Sequence, residues 1–386
     1  MRKILIIHNA YRNIGGEDVA VQNEVNFLKK YYDVRELYFD NHIKPINYLS
    51  QAKSFFLNSN KEALKLTRNA IEEFQPDLVY VHNTWFKASV AIFKLLKKKN
   101  LKTVIKIHNF RYNCTKSYFI RNHLEDKEAC SACGMEYQKF RIFNKYFDNS
   151  YLKSIFIIFY GRAYFNVIKD DFFNLFVLTK FHKEYLSSLG VNEGKIFVLP
   201  NSIKITNTAK PKGNERFILY AGRISEEKGV EELIDAFTRI SDNDLKLKII
   251  GEGPILKKIK NKNRNENIKF LGEISNSKVI EMMKQATVVA TATKLFEGQP
   301  TLLCEASSLG VPSIFPDTGG IKEFFPEEYK LSYEQFNYSN LEQKISLIND
   351  KELMSKIGKA NKEYLNIYLD RGRLLEIFQE GTDEKS

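Results

Sequence analysis

The chain has 386 residues, 43% of them hydrophobic and 27% charged, with a formal net charge of +12. That length suits two domains of ordinary size, and the composition excludes a disordered chain, a collagen-like fibre and a disulfide-stapled miniature. The longest apolar run, around Ser154–Tyr160, is far too short to cross a bilayer, which takes about 20 residues.

Along the chain, short β-branched runs alternate with longer amphipathic stretches, the pattern of βα units and a parallel sheet. The start, Met1–His8, has basic residues before an apolar patch too brief for a signal peptide, so it reads as a buried strand. A cytoplasmic setting with four reduced cysteines is expected. The first series of strands is Lys3–His8, Val34–Phe39, Leu78–His82, Thr103–His108 and Leu175–Thr179, with Ile196–Leu199 near a crossover. Residues 110–173 fit the alternation poorly; aromatic, basic and Cys-containing, they read as an insertion near the ligand face, with a helix over Tyr146–Tyr164. After the polar linker Asn201–Glu215 a second series follows: Phe217–Ala221, Leu247–Gly251, Ile268–Leu271, Thr287–Ala290 and Pro312–Phe315. The tail Asn361–Gln379 is helical in pattern. The expected division is an N-terminal domain at 1–200, a C-terminal domain at 201–360 and a tail at 361–386 whose helix returns to the first domain. Both domains read as doubly wound α/β sheets, which bind ligands outside the carboxyl ends of their strands.

The charge is unevenly spread. Residues 1–180 hold 29 Lys and Arg against 17 Asp and Glu, whereas the remainder holds 30 of each. In the first half basic residues mix with aromatics, as in Lys53-Ser-Phe-Phe56 and Tyr151-Leu-Lys-Ser-Ile-Phe156. Such a face fits an anionic membrane surface, a diphosphate-linked acceptor or nucleic acid. Nucleic acid is not expected, since no recognition motif accompanies the charge.

Two segments carry chemistry. In Glu297-Gly-Gln-Pro-Thr-Leu-Leu-Cys-Glu305 two carboxylates flank a turn and a short helix. Pro300 suits the first helical position, the N–H groups after it form a seat for a phosphate, and Gly298 lets a ligand approach the backbone. One acid can meet each end of a ligand whose phosphate rests on the helix start, the layout of a nucleotide sugar. In Phe217-Ile-Leu-Tyr-Ala-Gly-Arg-Ile-Ser-Glu-Glu-Lys-Gly229 a strand, a glycine turn and a helix follow one another. There Arg223 and Lys228 can converge on a diphosphate.

The ordered set Ala221–Gly229, Ile250-Gly-Glu-Gly-Pro254, Phe270-Leu-Gly272, Glu297 to Glu305 with Ala306, Gly310-Val-Pro312 and Thr318-Gly-Gly320 resembles retaining glycosyltransferase family 4. It covers nearly all of residues 216–325. Gly15-Gly-Glu17 resembles that family's glycine loop, and His108-Asn-Phe-Arg-Tyr-Asn-Cys114 a pattern of members active in bacterial surface-polysaccharide assembly. The resemblance implies the GT-B architecture, two Rossmann-like domains facing each other across a cleft that holds the donor. It implies that Glu305 binds the ribose. Arg223, Lys228, Gly15 and Gly16 would meet the diphosphate; Gly298, Gln299, Pro300, Thr301 and Leu302 would contact sugar and phosphate. Gly251 and Gly272 would border the base, and Glu297 and His108 would serve catalysis at the donor sugar. His82, Trp85 and Arg111, at strand ends, are acceptor candidates.

On this reading the protein moves a sugar from a UDP- or GDP-linked donor to a lipid-linked or oligosaccharide acceptor, with retention and without a catalytic metal. It would work in the cytoplasm, at the inner face of the membrane, during capsule, exopolysaccharide or O-antigen synthesis. Fixed cations stabilise the leaving diphosphate, and a carboxylate and an imidazole orient the sugar. Cys114, Cys130 and Cys133 form C-x15-C-x2-C, whose close pair has zinc-knuckle spacing. A structural zinc there would take its fourth ligand from His123 or water; alternatively the site has been lost. Two rival readings keep the fold: another GT-B enzyme, such as a nucleotide-sugar epimerase or a phosphorylase, and a non-catalytic transferase-like binding protein. Base, sugar, acceptor, linkage and oligomeric state stay open.

Overall fold

The computed structural model of the protein describes residues 1–10, 16–40, 58–113, 150–203 and 215–382. The chain divides into two compact units, residues 1–202 with 371–386, and residues 203–370.

In the first unit β1 (Lys3–Ala10) is followed by α1 (Gly16–Leu28), β2 (Asp33–Asp40), α2 (Lys61–Phe74), β3 (Leu78–Asn83) and α3 (Ala91–Lys98). Then come β4 (Thr103–Ile107), α4 (Tyr151–Lys169), β5 (Asn174–Val177), α5 (Lys180–Ser188) and β6 (Ile196–Val198). The strands form one parallel sheet in the order β2-β1-β3-β4-β5-β6. Helices cover both faces of such a sheet, so its inner strands are continuously apolar. Ile4 to Ile7 and Leu78 to Val81 are fully buried. Residues 146–149 of the expected helix lie outside the described residues; α4 begins at Tyr151 and runs on past Tyr164. Ser150 caps it, and Ile157, Tyr160, Tyr164 and Ile168 keep an inward face at helical spacing to its end.

The second unit contains β7 (Arg216–Ala221), α6 (Val230–Thr238), β8 (Leu245–Ile250), α7 (Leu256–Lys262), β9 (Ile268–Gly272) and α8 (Asn276–Gln285). It continues with β10 (Val288–Ala290), α9 (Thr301–Ser308), β11 (Ser313–Asp317), β12 (Ser332–Glu334), α10 (Tyr338–Ser346) and α11 (Lys351–Tyr368). Its parallel sheet runs β12-β11-β10-β7-β8-β9. β12 lies outside the expected strands. Only Ser-Tyr-Glu long, it carries no readable periodicity and is defined by pairing with Phe315–Asp317 of β11.

The helical tail expected over Asn361–Gln379 is two helices with a break at Leu369–Asp370. α11 begins earlier, where the Asp350 carboxylate accepts the Leu353 N–H at 2.9 Å. It lies against α9: Asn361 Nδ2 donates to Ser307 Oγ at 2.9 Å, and a Cβ on Gly358 would lie 2.1 Å from the Gly310 carbonyl oxygen. α12 (Arg371–Thr382) belongs to the first unit. Leu374 and Phe378 join Ile4, Tyr80 and Phe176 in that core, and Asn174 Nδ2 donates to the Gly381 carbonyl at 2.9 Å. The chain breaks because each helix buries its apolar face in a different unit. Among the described residues no helix is long and apolar enough to cross a membrane.

Candidate active site

The second sheet changes winding direction between β7 and β10, so the loops leaving these neighbours diverge and open a crevice at their carboxyl ends. The β7 loop, residues 222–229, ends at Gly229, whose φ is +65°. A Cβ there would lie 1.8 Å from the Ala292 carbonyl oxygen, so the two loops can touch only through glycine. The Lys294 N–H donates to the Glu227 carbonyl at 2.9 Å and ties them a second time.

This seam brings Lys228 to Glu297. The ammonium lies 2.5 Å from Glu297 Oε1, and Thr293 Oγ1 donates to the same oxygen at 3.0 Å. The Glu297 backbone is held as well: the Gly320 N–H donates to its carbonyl at 2.9 Å. Gly319, at φ +56°, passes so close that a Cβ would lie 2.4 Å from that carbonyl oxygen. Arg223 is exposed on the same loop as Lys228, its carbonyl accepting the Tyr220 hydroxyl at 2.8 Å. The Gly251 N–H donates to the Gly272 carbonyl at 2.9 Å, which places the ends of β8 and β9 side by side.

Pro300 is the cap of α9 and not its first helical residue. Its φ of −82° and ψ of 88° lie outside the helical region, while its carbonyl accepts the Cys304 N–H at 2.9 Å. No side chain caps the helix start. Gln299 is buried before it, and Gly298, Thr301 and Leu302 are half-buried. Glu305 is also half-buried, and burial pushes its carboxyl up to about 7, with no cation or donor among the described residues to offset the shift.

In the first unit the winding reverses between β1 and β3. Three histidines stand at neighbouring strand ends: His8 on β1, His82 on β3 and His108 just beyond β4. His8 Nε2 is 2.9 Å from Asp18 Oδ1 of α1. His82 Nδ1 is 3.0 Å from His108 Nε2, with the two rings stacked at 5.3 Å. Burial is the main cause that holds both imidazoles well below the usual range. For His82 the charges of His108, Lys106 and His8 add to it, and for His108 those of Lys106, His8 and His182.

Beneath the histidines lies a buried ion pair that sequence reading missed. Lys106 Nζ is 2.7 Å from Glu24 Oε2, and the Tyr80 hydroxyl donates to Glu24 Oε1 at 2.7 Å. Lys106 sits inside an apolar strand, where its charge is the only local signal for such a partner. Of the acceptor candidates, His82 and Trp85 are buried, at 3% and 4% exposure, and Arg111 is half-buried with its guanidinium 5.6 Å from the Trp85 ring. Gly16 begins α1 in open space. Gly15, Cys114, His123, Cys130 and Cys133 lie outside the described residues. Among the described residues no group of three or more His, Cys, Asp or Glu is placed to hold a metal ion, and Cys304 is a buried free thiol.

The fold is that of the GT-B class. HepE of Anabaena, solved in complex with UDP and glucose, matches it with a TM-score of 0.69 at 15% identity, over 98% of this chain and 99% of that one. Residues 202–364 match the family model for glycosyl transferases group 1. An uncharacterized glycosyltransferase of Methanocaldococcus jannaschii is 30% identical over 209 residues, which is 53% of this chain and 58% of that protein. The O-antigen biosynthesis glycosyltransferase WbnH of Escherichia coli is 26% identical over 178 residues, 46% of this chain and 50% of that protein. The chain thus spans 58% and 50% of the length of these two relatives. Together these likenesses place the whole fold in the GT-B class and residues 202–364 beside the glycosyl transferases group 1.

Proposed function

We propose that the protein is a retaining, metal-independent glycosyltransferase that moves a sugar from a UDP- or GDP-linked donor to a lipid-linked or oligosaccharide acceptor in cell-surface polysaccharide synthesis. The observation that carries this reading is Glu305. A half-buried carboxylate with no compensating donor among the described residues sits on the helix that follows Glu297 of the Lys228–Glu297 pair, at the carboxyl edge of a doubly wound sheet. Such a carboxylate is stabilised by a ligand that brings hydroxyl donors, as a ribose does.

The remaining roles follow the chemistry of the side chains. Breaking the anomeric bond sends an electron pair to the leaving diphosphate, and Arg223 and Lys228, with the backbone of Gly15 and Gly16, stabilise the charge that develops. The uncapped start of α9 receives the phosphate through N–H groups of Thr301 and Leu302. Gly298, Gln299 and Pro300 line the approach to the sugar, and Gly251 and Gly272 border the base. Glu297 and His108 address the transferred sugar, and Arg111, with Trp85 and His82 behind it, belongs to the acceptor side. The leaving phosphate takes the acceptor proton at the donor's front face. The basic first half of the chain attracts an anionic, lipid-linked acceptor at the inner membrane face. The similarity to a protein of O-antigen biosynthesis supports that class of product.

A thermal-shift panel of nucleoside diphosphates and nucleotide sugars tests the reading, because a ligand at a hundred times its Kd stabilises by about 2.7 kcal/mol. A shift with one base, followed by acceptor-dependent release of that diphosphate, is expected. No shift with any of them would overturn it, and binding without turnover would leave a transferase-like binding protein.

A further inference from the structure

We infer that His82 is a positioning residue: its Nδ1–H donates to His108 Nε2 and fixes His108 as a neutral imidazole with its own proton on Nδ1. The argument rests on one unpartnered atom. His82 is 3% exposed, and its Nε2 is buried with no hydrogen-bond partner among the described residues. Buried N–H groups left without acceptors are rarer than buried acceptors left without donors. The single proton of a neutral His82 therefore belongs on Nδ1, where an acceptor stands 3.0 Å away.

The surroundings keep the pair neutral. Beneath His82 the Tyr80 ring lies at 4.3 Å, and the Tyr80 hydroxyl is committed to Glu24. Lys106 on β4 faces the pair from below as a buried cation, with its counter-charge Glu24 on α1. On β1 the His8 ring stands 6.3 Å away at 89°, and Asp18 of α1 is engaged with His8. His182 of α5 is occupied by the Tyr112 hydroxyl at 2.9 Å. No carboxylate among the described residues hydrogen-bonds either member of the pair, and Lys106 repels a second positive charge. One proton per ring follows, and the acceptor role of His108 Nε2 leaves His108 Nδ1 as the donor.

His108, a half-buried residue, then offers a ligand an N–H and not a lone pair. It orients a sugar hydroxyl by donation and does not act as a base, and His82 stays behind it instead of meeting the acceptor. This rests on the sugar-contacting role given to His108 above. The tautomer is independent of that role.

The test is long-range 15N–1H correlation spectroscopy of the histidine rings in the full chain, whose six histidines are assigned by single substitution. His108 is expected as the Nδ1–H tautomer in the wild type. In His82→Asn, whose amide nitrogen can replace the Nδ1 donor, it is retained; in His82→Leu it is lost to a tautomer mixture. Transfer by His82→Leu should fall about tenfold in kcat, with KM for the donor unchanged, and His82→Asn should recover most of it. An Nε2–H tautomer of His108 in the wild type, or one unmoved in His82→Leu, overturns the inference. A tautomer that moves while neither His82→Leu nor His108→Ala alters transfer overturns the role of His108 instead.

Discussion

The Lys228 ammonium and Glu297 Oε1 meet 2.5 Å apart although 69 positions separate them in sequence. The pair is 31% and 27% exposed, so its worth to stability is small, under about 1 kcal/mol. On the proposed reading the Lys228 ammonium matters more to a diphosphate, because a charge-assisted hydrogen bond to an anion contributes about 1.5–3 kcal/mol. Lys228→Met is expected to weaken nucleoside diphosphate binding roughly tenfold to a hundredfold, measured by calorimetry, while the urea midpoint barely moves.

Glu305 links stability to pH in the direction opposite to most carboxylates. Its folded value of about 7 lies above the ordinary 4.5, so between these the native state holds a proton that the unfolded chain has released. Stability therefore falls as pH rises through that window. Glu305→Gln should be more stable than the wild type by roughly 1–3 kcal/mol at pH 8 and similar to it near pH 4. If Glu305 holds the ribose as proposed, nucleotide affinity should fall in the same variant, a binding group being kept at a cost in stability. Denaturant curves at both pH values, with a nucleotide titration, check both halves.

Gly229→Ala places a methyl group 1.8 Å from the Ala292 oxygen at a φ of +65°. The strain falls on the seam that brings Lys228 to Glu297. A loss of about 2 kcal/mol or more is expected in urea unfolding, with transfer falling further than stability alone explains.

The buried histidines predict acid lability. Burial holds His182 at about 3 against an ordinary 6.5, and His82 and His108 also lie well below that value. Below pH 6.5 the unfolded chain takes up protons that these native rings refuse. Their contribution is complete above that pH and is lost as pH falls toward the folded values. His182→Phe keeps ring packing against Phe110, 4.4 Å away, but leaves the Tyr112 hydroxyl unpaired. It should lower stability at pH 7, yet flatten the slope between pH 6 and 4 by up to about 1.4 kcal/mol per pH unit.

The inner strands were legible because a parallel strand buried on both faces writes itself as a run such as Ile4–Ile7 or Phe217–Tyr220. The glycine loops were legible for a related reason: close backbone contacts at Gly229 and Gly319 leave only one residue type. β12 was not, since a three-residue strand exists through its partner. The break at Leu369–Asp370 was not, since helical periodicity continues across it while the packing surface changes. Pro300 fits the cap as well as the first turn, and its backbone angles decide between them.

By itself the sequence determined where four charged side chains leave the sheet. Strand, turn and helix are local, so Arg223, Lys228, Glu297 and Glu305 could be placed at strand ends and a helix start from spacing alone. Only the tertiary structure decided which of these groups meet. Sheet order sets β7 beside β10 and β3 beside β4, and it joins Lys228 to Glu297 and His82 to His108. Burial, a property of the packed layers and not of any one segment, then sets Glu305 near neutrality, seals Lys106 onto Glu24 and puts His82 behind His108. Periodicity records which face of an element turns inward; which neighbour it finds there is settled by the order in which strands join the sheet.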